Sequence, residues 1–272
     1  MNPSVEDEAA MDATKAPLLE HLIELRKRLI YALLSFLACF LVCFFFAKPI
    51  YGFLTQPLAA ALKGQPNDHL IYTALPETFF TYVKVGMFGG LCLAFPIVAW
   101  QLWMFVAPGL YKNERRAFLP FLVASPVLFI AGAAFVLYLM LPYAIRFFLS
   151  FETSSGTDTL GIQLQARVSE YLDFVMTLII AFGLTFQLPV LLGLLGRVGI
   201  VSSQQLRSMR RYAIVGIVVV AAIVTPPDAF SMISLMVPLI GLYEVSIWCV
   251  KLIEKKRAEA DAARAAGQAA AG

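Results

Sequence analysis

The chain has 272 residues, of which 60% are hydrophobic and only 14% are charged, and its mean hydropathy is +0.78. A soluble globule of this size needs more polar surface than this composition provides, so the sequence predicts an all-α integral membrane protein. The net charge of +3 is too small to indicate a nucleic-acid partner. The basic residues group at the edges of apolar runs, where the lipid bilayer is the expected partner.

The first distinctive feature is an amphipathic run at residues 18–29, in which leucines recur at helical spacing on one face. This pattern predicts a helix on the membrane surface, preceded by a mobile tail at residues 1–17. From Leu29 to Ala47 no charge appears, a run of about nineteen residues, close to the length of a spanning helix. The basic cluster at 26–28 flanks this span, and no small-residue cleavage site follows it. We therefore expect a retained anchor with a cytoplasmic N-terminus.

Five further apolar runs follow, separated by short polar connectors. The six predicted spans cover about residues 29–47, 83–107, 118–142, 171–195, 212–226 and 229–250, within a membrane domain at 18–253 that precedes a C-terminal tail at 254–272. The stretch after the first span is rich in proline and predicts a short interfacial helix. The last two apolar runs are short, roughly 24 Å as helix against a hydrocarbon core of about 30 Å. The sequence therefore leaves open whether they cross completely.

Several polar residues mark the predicted helix ends. Ser169 precedes acidic residues and is predicted to cap the fourth span, and Ser202 is predicted to cap a helix in the second basic connector. Pro226, Pro227 and Asp228 lie between the last two apolar runs. They predict a tight reversal, with Asp228 capping the final helix.

The distribution of basic residues predicts the topology. Roughly sixteen of the 21 lysines and arginines lie in the two terminal regions and in the connectors at 109–116 and 197–211. By the positive-inside rule these four segments face the cytoplasm. Both termini then lie on the same side, which requires an even number of crossings, and six uses every apolar run.

The sequence carries no recognisable catalytic or nucleotide-binding motif. It has no phosphate-binding loop and no HExxH pattern, and His21 and His69 are too few and too isolated for a metal site. The four cysteines lie in or at the ends of apolar runs, where thiols behave as small hydrophobic groups. We therefore expect neither an enzyme nor a metal or cofactor.

Two carboxylates near the cytoplasmic face are open to two interpretations. Glu24 could simply pair with Arg28 four residues on, and Glu114 with a neighbouring arginine, contacts worth a few tenths of a kcal/mol. Alternatively, Glu24 and Glu114 could form a receptor for an arginine-bearing ligand. A carboxylate binds guanidinium through paired charge-assisted hydrogen bonds, which lysine cannot reproduce.

Gln187 is a polar amide within the fourth apolar run, just before a proline. Its side chain could satisfy backbone groups that the proline loosens. It could also face protein or water and hydrogen-bond a partner helix or a bound peptide, as polar groups in membrane spans often do.

Four motifs carry a resemblance to a known family: HLIELRKRL at 21–29, FVAPGLYKNERR at 105–116, FGLTFQLPV at 182–190 and TPPD at 225–228. Together they resemble the TatC family, the receptor subunit of the twin-arginine protein translocase. The resemblance extends from about residue 18 to 254.

The resemblance implies a cup-shaped bundle of six helices in the bacterial cytoplasmic (inner) membrane. It would bind the paired arginines in signal peptides of folded exported proteins. TatA- and TatB-type single-span partners and self-association are implied, with the proton-motive force as the energy source. Glu24 and Glu114 match the acidic signal-binding positions, and Arg26 and Phe105 lie in the supporting motifs. Gln187 stands where many members have glutamate, which puts any role requiring a charge there in doubt.

Two other classes remain as alternatives. A secondary transporter would have repeated halves with interrupted helices meeting at a midplane site, but the two halves here differ in span and loop length. A membrane scaffold without a transport role is compatible with the composition. Co-purification with a twin-arginine signal peptide, lost when both arginines become lysine, would favour the receptor over both.

Overall fold

The computed structural model describes residues 5–63, 69–106, 119–153, 161–224 and 229–271. These residues form ten α-helices: α1 Val5–Phe45, α2 Ala47–Ala61, α3 Glu77–Val106, α4 Leu119–Phe135, α5 Leu141–Leu149, α6 Val168–Thr185, α7 Leu188–Val198, α8 Ser203–Ser208, α9 Arg210–Val224 and α10 Ala229–Ala271. A π-helical turn at Val136–Met140 joins α4 to α5. Apart from turns and irregular segments, the described residues otherwise contain only two isolated β-bridges and no β-sheet, so the predicted all-α architecture is confirmed.

Five helical stretches of the described residues are long and apolar enough to cross a bilayer: Leu22–Phe45, Glu77–Phe105, Pro120–Leu149, Val168–Val198 and Met232–Glu259. The chain is therefore a multi-pass membrane protein. The fifth apolar run of the sequence forms α9, which has 15 residues. At about 22 Å it is shorter than a hydrocarbon core of about 30 Å, as the sequence predicts. A sixth complete crossing stays a prediction.

Both terminal regions differ from the sequence prediction. The predicted mobile tail at 1–17 contains the start of α1, which runs without interruption from Val5 into the first span. At the other end, α10 has 43 residues and continues through most of the predicted tail at 254–272, so the last helix is longer than predicted. Both tails are rich in alanine and charged residues of high helix propensity, which extend a helix already begun in the membrane.

The two predicted serine caps have different outcomes. Ser202 caps α8 in a reciprocal pair with Gln205, as predicted: its Oγ accepts from the Gln205 amide at 3.1 Å, and its own amide donates to Gln205 Oε1 at 2.9 Å. The prediction for Ser169 was wrong, because α6 begins at Val168 and Arg167 occupies the capping position. A β-bridge with Ile71 keeps Arg167 extended, so the helix starts immediately after it. The predicted reversal at residues 226–228 lies outside the described residues.

Glycines allow the closest contact between α1 and α3. Gly86, Gly89 and Gly90 of α3 face Phe40, Cys43 and Phe44 of α1. A Cβ atom at Gly90 would lie 2.6 Å from the Cα atom of Phe40, so only glycine fits there without a backbone shift. This close packing fixes how the N-terminal part of α1 meets the C-terminal end of α3.

The interior is built around α6. Its most buried side chains, each no more than 2% exposed, are Leu172, Val175, Leu178, Ile179 and Phe182. They pack with buried residues of α2, α3, α10 and the π-helical turn in one hydrophobic cluster. Because α6 is the central helix, a change at its connection to α7 would act on the most buried part of the bundle.

Candidate functional site

A cavity of about 560 Å³ lies between the first part of α1 and the end of α3. Its lining residues are Ile23, Glu24, Lys27, Arg28, Tyr31, Trp100 and Gln101. The α1 residues share one helix face, because residues three, four and seven positions apart lie close together on a helix. We call this space the α1–α3 cavity. It combines one carboxylate, two basic side chains and two aromatic rings.

An ion pair between Glu24 and Arg28 crosses one wall of the α1–α3 cavity. The Nη2 and Nε atoms of Arg28 donate to Oε1 of Glu24 at 2.6 and 3.0 Å. Nη1 of the same guanidinium donates to Oε1 of Gln101 on α3 at 3.4 Å. The side chains of Arg28 and Glu24 are 20% and 32% exposed. The local pair considered from the sequence therefore exists, and it is partly accessible from the cavity.

The other residues predicted for this site lie elsewhere. Arg26 is exposed and does not line the α1–α3 cavity. Phe105 is half-buried, one helical turn beyond Gln101 on α3, and is also outside the lining. Glu114 lies outside the described residues, in the segment that follows α3. The structure therefore places Glu24 against α3. The distance between Glu24 and Glu114 is not defined by the described residues.

Sequence reasoning missed the two α3 residues of the cavity, Trp100 and Gln101. Gln101 carried a usable signal, because it is a single amide in the uncharged run at 85–111, the same feature that drew attention to Gln187. Trp100 carried none, since an aromatic residue near a membrane edge is common in spanning helices.

Gln187 is half-buried at the break between α6 and α7, and its amide is hydrogen-bonded within the chain. Oε1 accepts from Ser125 Oγ of α4 at 2.6 Å, and Nε2 donates to the carbonyl oxygens of Ser125 and Gly183 at 3.1 and 3.3 Å. Ser125 is only 2% exposed. The amide thus links α4 to the last turn of α6.

The backbone explains why Gly183 needs this donor. The amide of Gln187 bonds the carbonyl of Leu184, three residues back, at 3.0 Å, instead of the carbonyl of Gly183, four residues back. Pro189 follows in the first turn of α7, where its missing N–H costs little. The Gly183 carbonyl would lack a helical partner, and the Gln187 side chain supplies one. This geometry favours the local interpretation of Gln187.

A second polar cluster, not predicted from the sequence, lies at the opposite end of α3. The side chain of Glu77 is 6% exposed. Its Oε2 accepts from the amides of Thr73 and Ala74 at 2.9 and 3.3 Å and from Arg167 Nη2 at 3.2 Å. Its Oε1 accepts from Ser169 Oγ at 2.7 Å. We call these residues the Glu77 cluster, which ties the segment before α3 to the start of α6.

Comparisons with known proteins match most of the chain. The family model described as Sec-independent protein translocase protein (TatC) matches residues 20–238. The TatC protein of Magnetococcus marinus is 47% identical over 256 residues, which are 94% of this chain and 92% of that protein. That of Rickettsia prowazekii is 43% identical over 238 residues, or 88% and 94%. A crystal structure of the twin-arginine translocase receptor TatC superposes with a TM-score of 0.74 at 37% identity, covering 86% of this chain and 99% of that one.

Proposed function

Because the chain belongs to the TatC family of Sec-independent protein translocases, we propose that it is the receptor and core component of a twin-arginine translocase. It binds the twin-arginine signal peptides of folded proteins and exports these proteins across the bacterial cytoplasmic membrane. TatA- and TatB-type single-span proteins and further copies of the chain are its partners, and the proton-motive force drives transport. It works by binding and rearrangement and not as an enzyme. Both of its termini face the cytoplasm.

The observation that carries this proposal is the placement of Glu24 in the α1–α3 cavity. A carboxylate is the strongest side-chain acceptor for guanidinium, and the flat face of guanidinium also stacks on aromatic rings. Trp100 and Tyr31 line the same cavity and are 46% and 49% exposed, so both rings are accessible to an incoming ligand. The cavity is larger than one arginine side chain, so it can hold an arginine together with adjoining peptide backbone.

The remaining predicted residues take supporting roles in this proposal. Glu114 receives the second arginine, since the connector that carries it begins where α3 ends. Phe105 and Arg26 flank the cavity and position the peptide. Gln187 is an intramembrane polar site at which a partner helix docks if its bonds with Ser125 open.

The proposal is tested by measuring peptide binding to the purified full-length protein in lipid nanodiscs. A labelled signal peptide with two arginines should bind at least tenfold more tightly than the same peptide with two lysines. Glu24→Gln should weaken binding of the arginine peptide about ten- to hundredfold, because loss of a charge-assisted bond costs about 1.5–3 kcal/mol. Its melting temperature should fall only slightly, because a partly exposed ion pair of this kind contributes no more than about 1 kcal/mol.

Glu259→Gln is the matched control, since Glu259 lies on α10 with a side chain 63% exposed and distant in sequence from the cavity residues. It should bind like the parent protein. Equal affinity of the parent for the arginine and lysine peptides would contradict the proposed function. Equal losses of stability and binding in Glu24→Gln would assign Glu24 a structural role.

A further inference from the structure

We propose that Arg28 is an internal competitor for Glu24, whose guanidinium occupies the carboxylate until the arginine of a signal peptide displaces it. This inference rests on the proposed function of Glu24 as a ligand-binding residue. It adds a regulatory role for a basic residue that the sequence indicates only as part of the topology signal and as a local partner of Glu24.

Arg28 occupies only one of the two carboxylate oxygens of Glu24. Both hydrogen bonds from Arg28 end on Oε1 of Glu24, at 2.6 and 3.0 Å. Within the part of the chain that the structure describes, Oε2 accepts no hydrogen bond from another side chain. A carboxylate offers two oxygens and about four acceptor positions, so a second guanidinium can engage Oε2 before the first leaves. Exchange therefore does not require an unpaired Glu24.

Gln101 provides Arg28 with a second hydrogen-bond acceptor. Nη1 of Arg28 already donates to Gln101 Oε1 at 3.4 Å, across the α1–α3 cavity. After displacement, Arg28 keeps this acceptor on α3, and its side chain is 20% exposed, so its charge still has polar surroundings. One guanidinium replaces another on Glu24, so breaking the internal pair offsets part, but not all, of the free energy gained from the new bond.

Internal competition has a defined thermodynamic consequence. If only receptors with Glu24 released from Arg28 bind fully, the apparent affinity for every ligand that needs Glu24 falls by the same factor. Arginine and lysine peptides are weakened equally, and the preference for arginine comes from the ligand's own bonds. Arg28 thereby lowers overall affinity, which keeps lysine-bearing peptides below useful occupancy and eases release of the signal peptide.

The test is a double-mutant cycle on full-length protein in nanodiscs, with the labelled arginine peptide and its lysine version as probes. Arg28→Gln should tighten binding of both peptides by a similar factor, about threefold to tenfold, as expected for a partly buried pair of this kind. In the Glu24→Gln background the same change should have no tightening effect, because the competing pair is already gone. Arg28→Lys, which keeps a charge but not the two-bond geometry, should fall between the parent and Arg28→Gln.

Lys256→Gln is the matched control, since Lys256 is an exposed basic residue of α10 that does not line the α1–α3 cavity. It should change affinity by less than about twofold at physiological salt, where exposed charges are screened. Equal tightening by Lys256→Gln and Arg28→Gln would overturn the inference, because the loss of any positive charge would then explain the tightening. Weaker or unchanged binding in Arg28→Gln would overturn the inference, and so would tightening that persists in the Glu24→Gln background. In each of these outcomes, the proposed function still holds if the parent protein binds the arginine peptide more tightly than the lysine peptide.

Discussion

The Ser125–Gln187 contact is a partly buried polar link between α4 and the end of α6. Gln187→Leu would leave the hydroxyl of Ser125 and the carbonyl of Gly183 without their partner in a largely buried place. Unpaired buried polar groups cost about 1–3 kcal/mol, and hydrogen bonds between membrane helices contribute about 0.6–2 kcal/mol. We expect Gln187→Leu to lower the melting temperature in detergent and to reduce export. Gln187→Glu keeps an acceptor for Ser125 and should remain active.

The matched control for this prediction is Ser125→Ala. If the two side chains act as a unit, adding Ser125→Ala to Gln187→Leu should cost less stability than Ser125→Ala does alone. A leucine variant that melts like the parent but exports poorly would instead indicate that Gln187 serves a partner helix. If the leucine variant exports normally while the glutamate variant fails, Gln187 is not a docking point. It then also does not replace the glutamate that the family resemblance implies at this position.

At the residue scale, the sequence offered the Glu24–Arg28 pair as one of two interpretations of Glu24 and drew attention to Gln187, because both depend on spacing within one short segment. It did not predict that Trp100 and Gln101 share a cavity with Glu24. Which residues of α3 face α1 depends on the close approach at Gly90, a contact between distant parts of the chain. A periodic pattern in the sequence predicts which face of a helix is apolar, but it does not predict which other helix packs against that face.

At the element scale, the contact of α1 with α3 is the support of the candidate site. Gly90→Ala should disturb it, because the new Cβ would lie 2.6 Å from the backbone of Phe40. Overpacking of this kind costs about 1–3 kcal/mol. We expect a lower melting temperature and weaker binding of the arginine peptide, since Glu24 and Gln101 would no longer keep their separation.

Gly241→Ala is the control, because no atom outside its own stretch of α10 lies within 4 Å of the added Cβ among the described residues. Alanine replaces glycine inside a helix there, so the variant should be as stable as the parent or more stable by about 0.5–1 kcal/mol. Peptide binding should not change. Parent-like stability and binding of Gly90→Ala would show that α1 and α3 adjust easily and do not fix the cavity.

Helix ends were predictable where the determining contacts are local. Ser202 and Gln205 cap α8 through bonds across three residues, which sequence spacing can reveal. The start of α6 instead depends on the bridge between Ile71 and Arg167 and on the bond from Ser169 to Glu77, all distant in sequence. Similarly, high helix propensity extends α1 and α10 into tails whose composition alone also suits disorder.

At the scale of the whole molecule, the Glu77 cluster joins the segment before α3 to the start of α6. Glu77→Gln removes the charge that pairs with Arg167 and weakens bonds to two backbone amides, in a side chain that is 6% exposed. We expect a loss of about 1.5–3 kcal/mol in stability, measured by thermal melting in detergent. Asp173→Asn is the control, because its pair with Lys84 is 46% and 50% exposed and such pairs contribute about 0–1 kcal/mol. Similar melting of the two variants would mean that the Glu77 cluster does not stabilise the fold.

The last prediction concerns orientation in the membrane, which follows from the distribution of lysine and arginine. In spheroplasts, a cysteine replacing Leu75, which is 94% exposed in the segment between α2 and α3, should react with an impermeant maleimide added outside. Cysteines replacing Gln204 in α8 and Ala262 in α10, both exposed, should react only after the membrane is permeabilised. The parent chain, whose native cysteines lie within or at the ends of apolar runs, gives the baseline. Protection of both Gln204 and Ala262 requires α9 and α10 together to cross an even number of times. Labelling of only one of them from outside would contradict six crossings, and labelling of both with protection of Leu75 would reverse the topology.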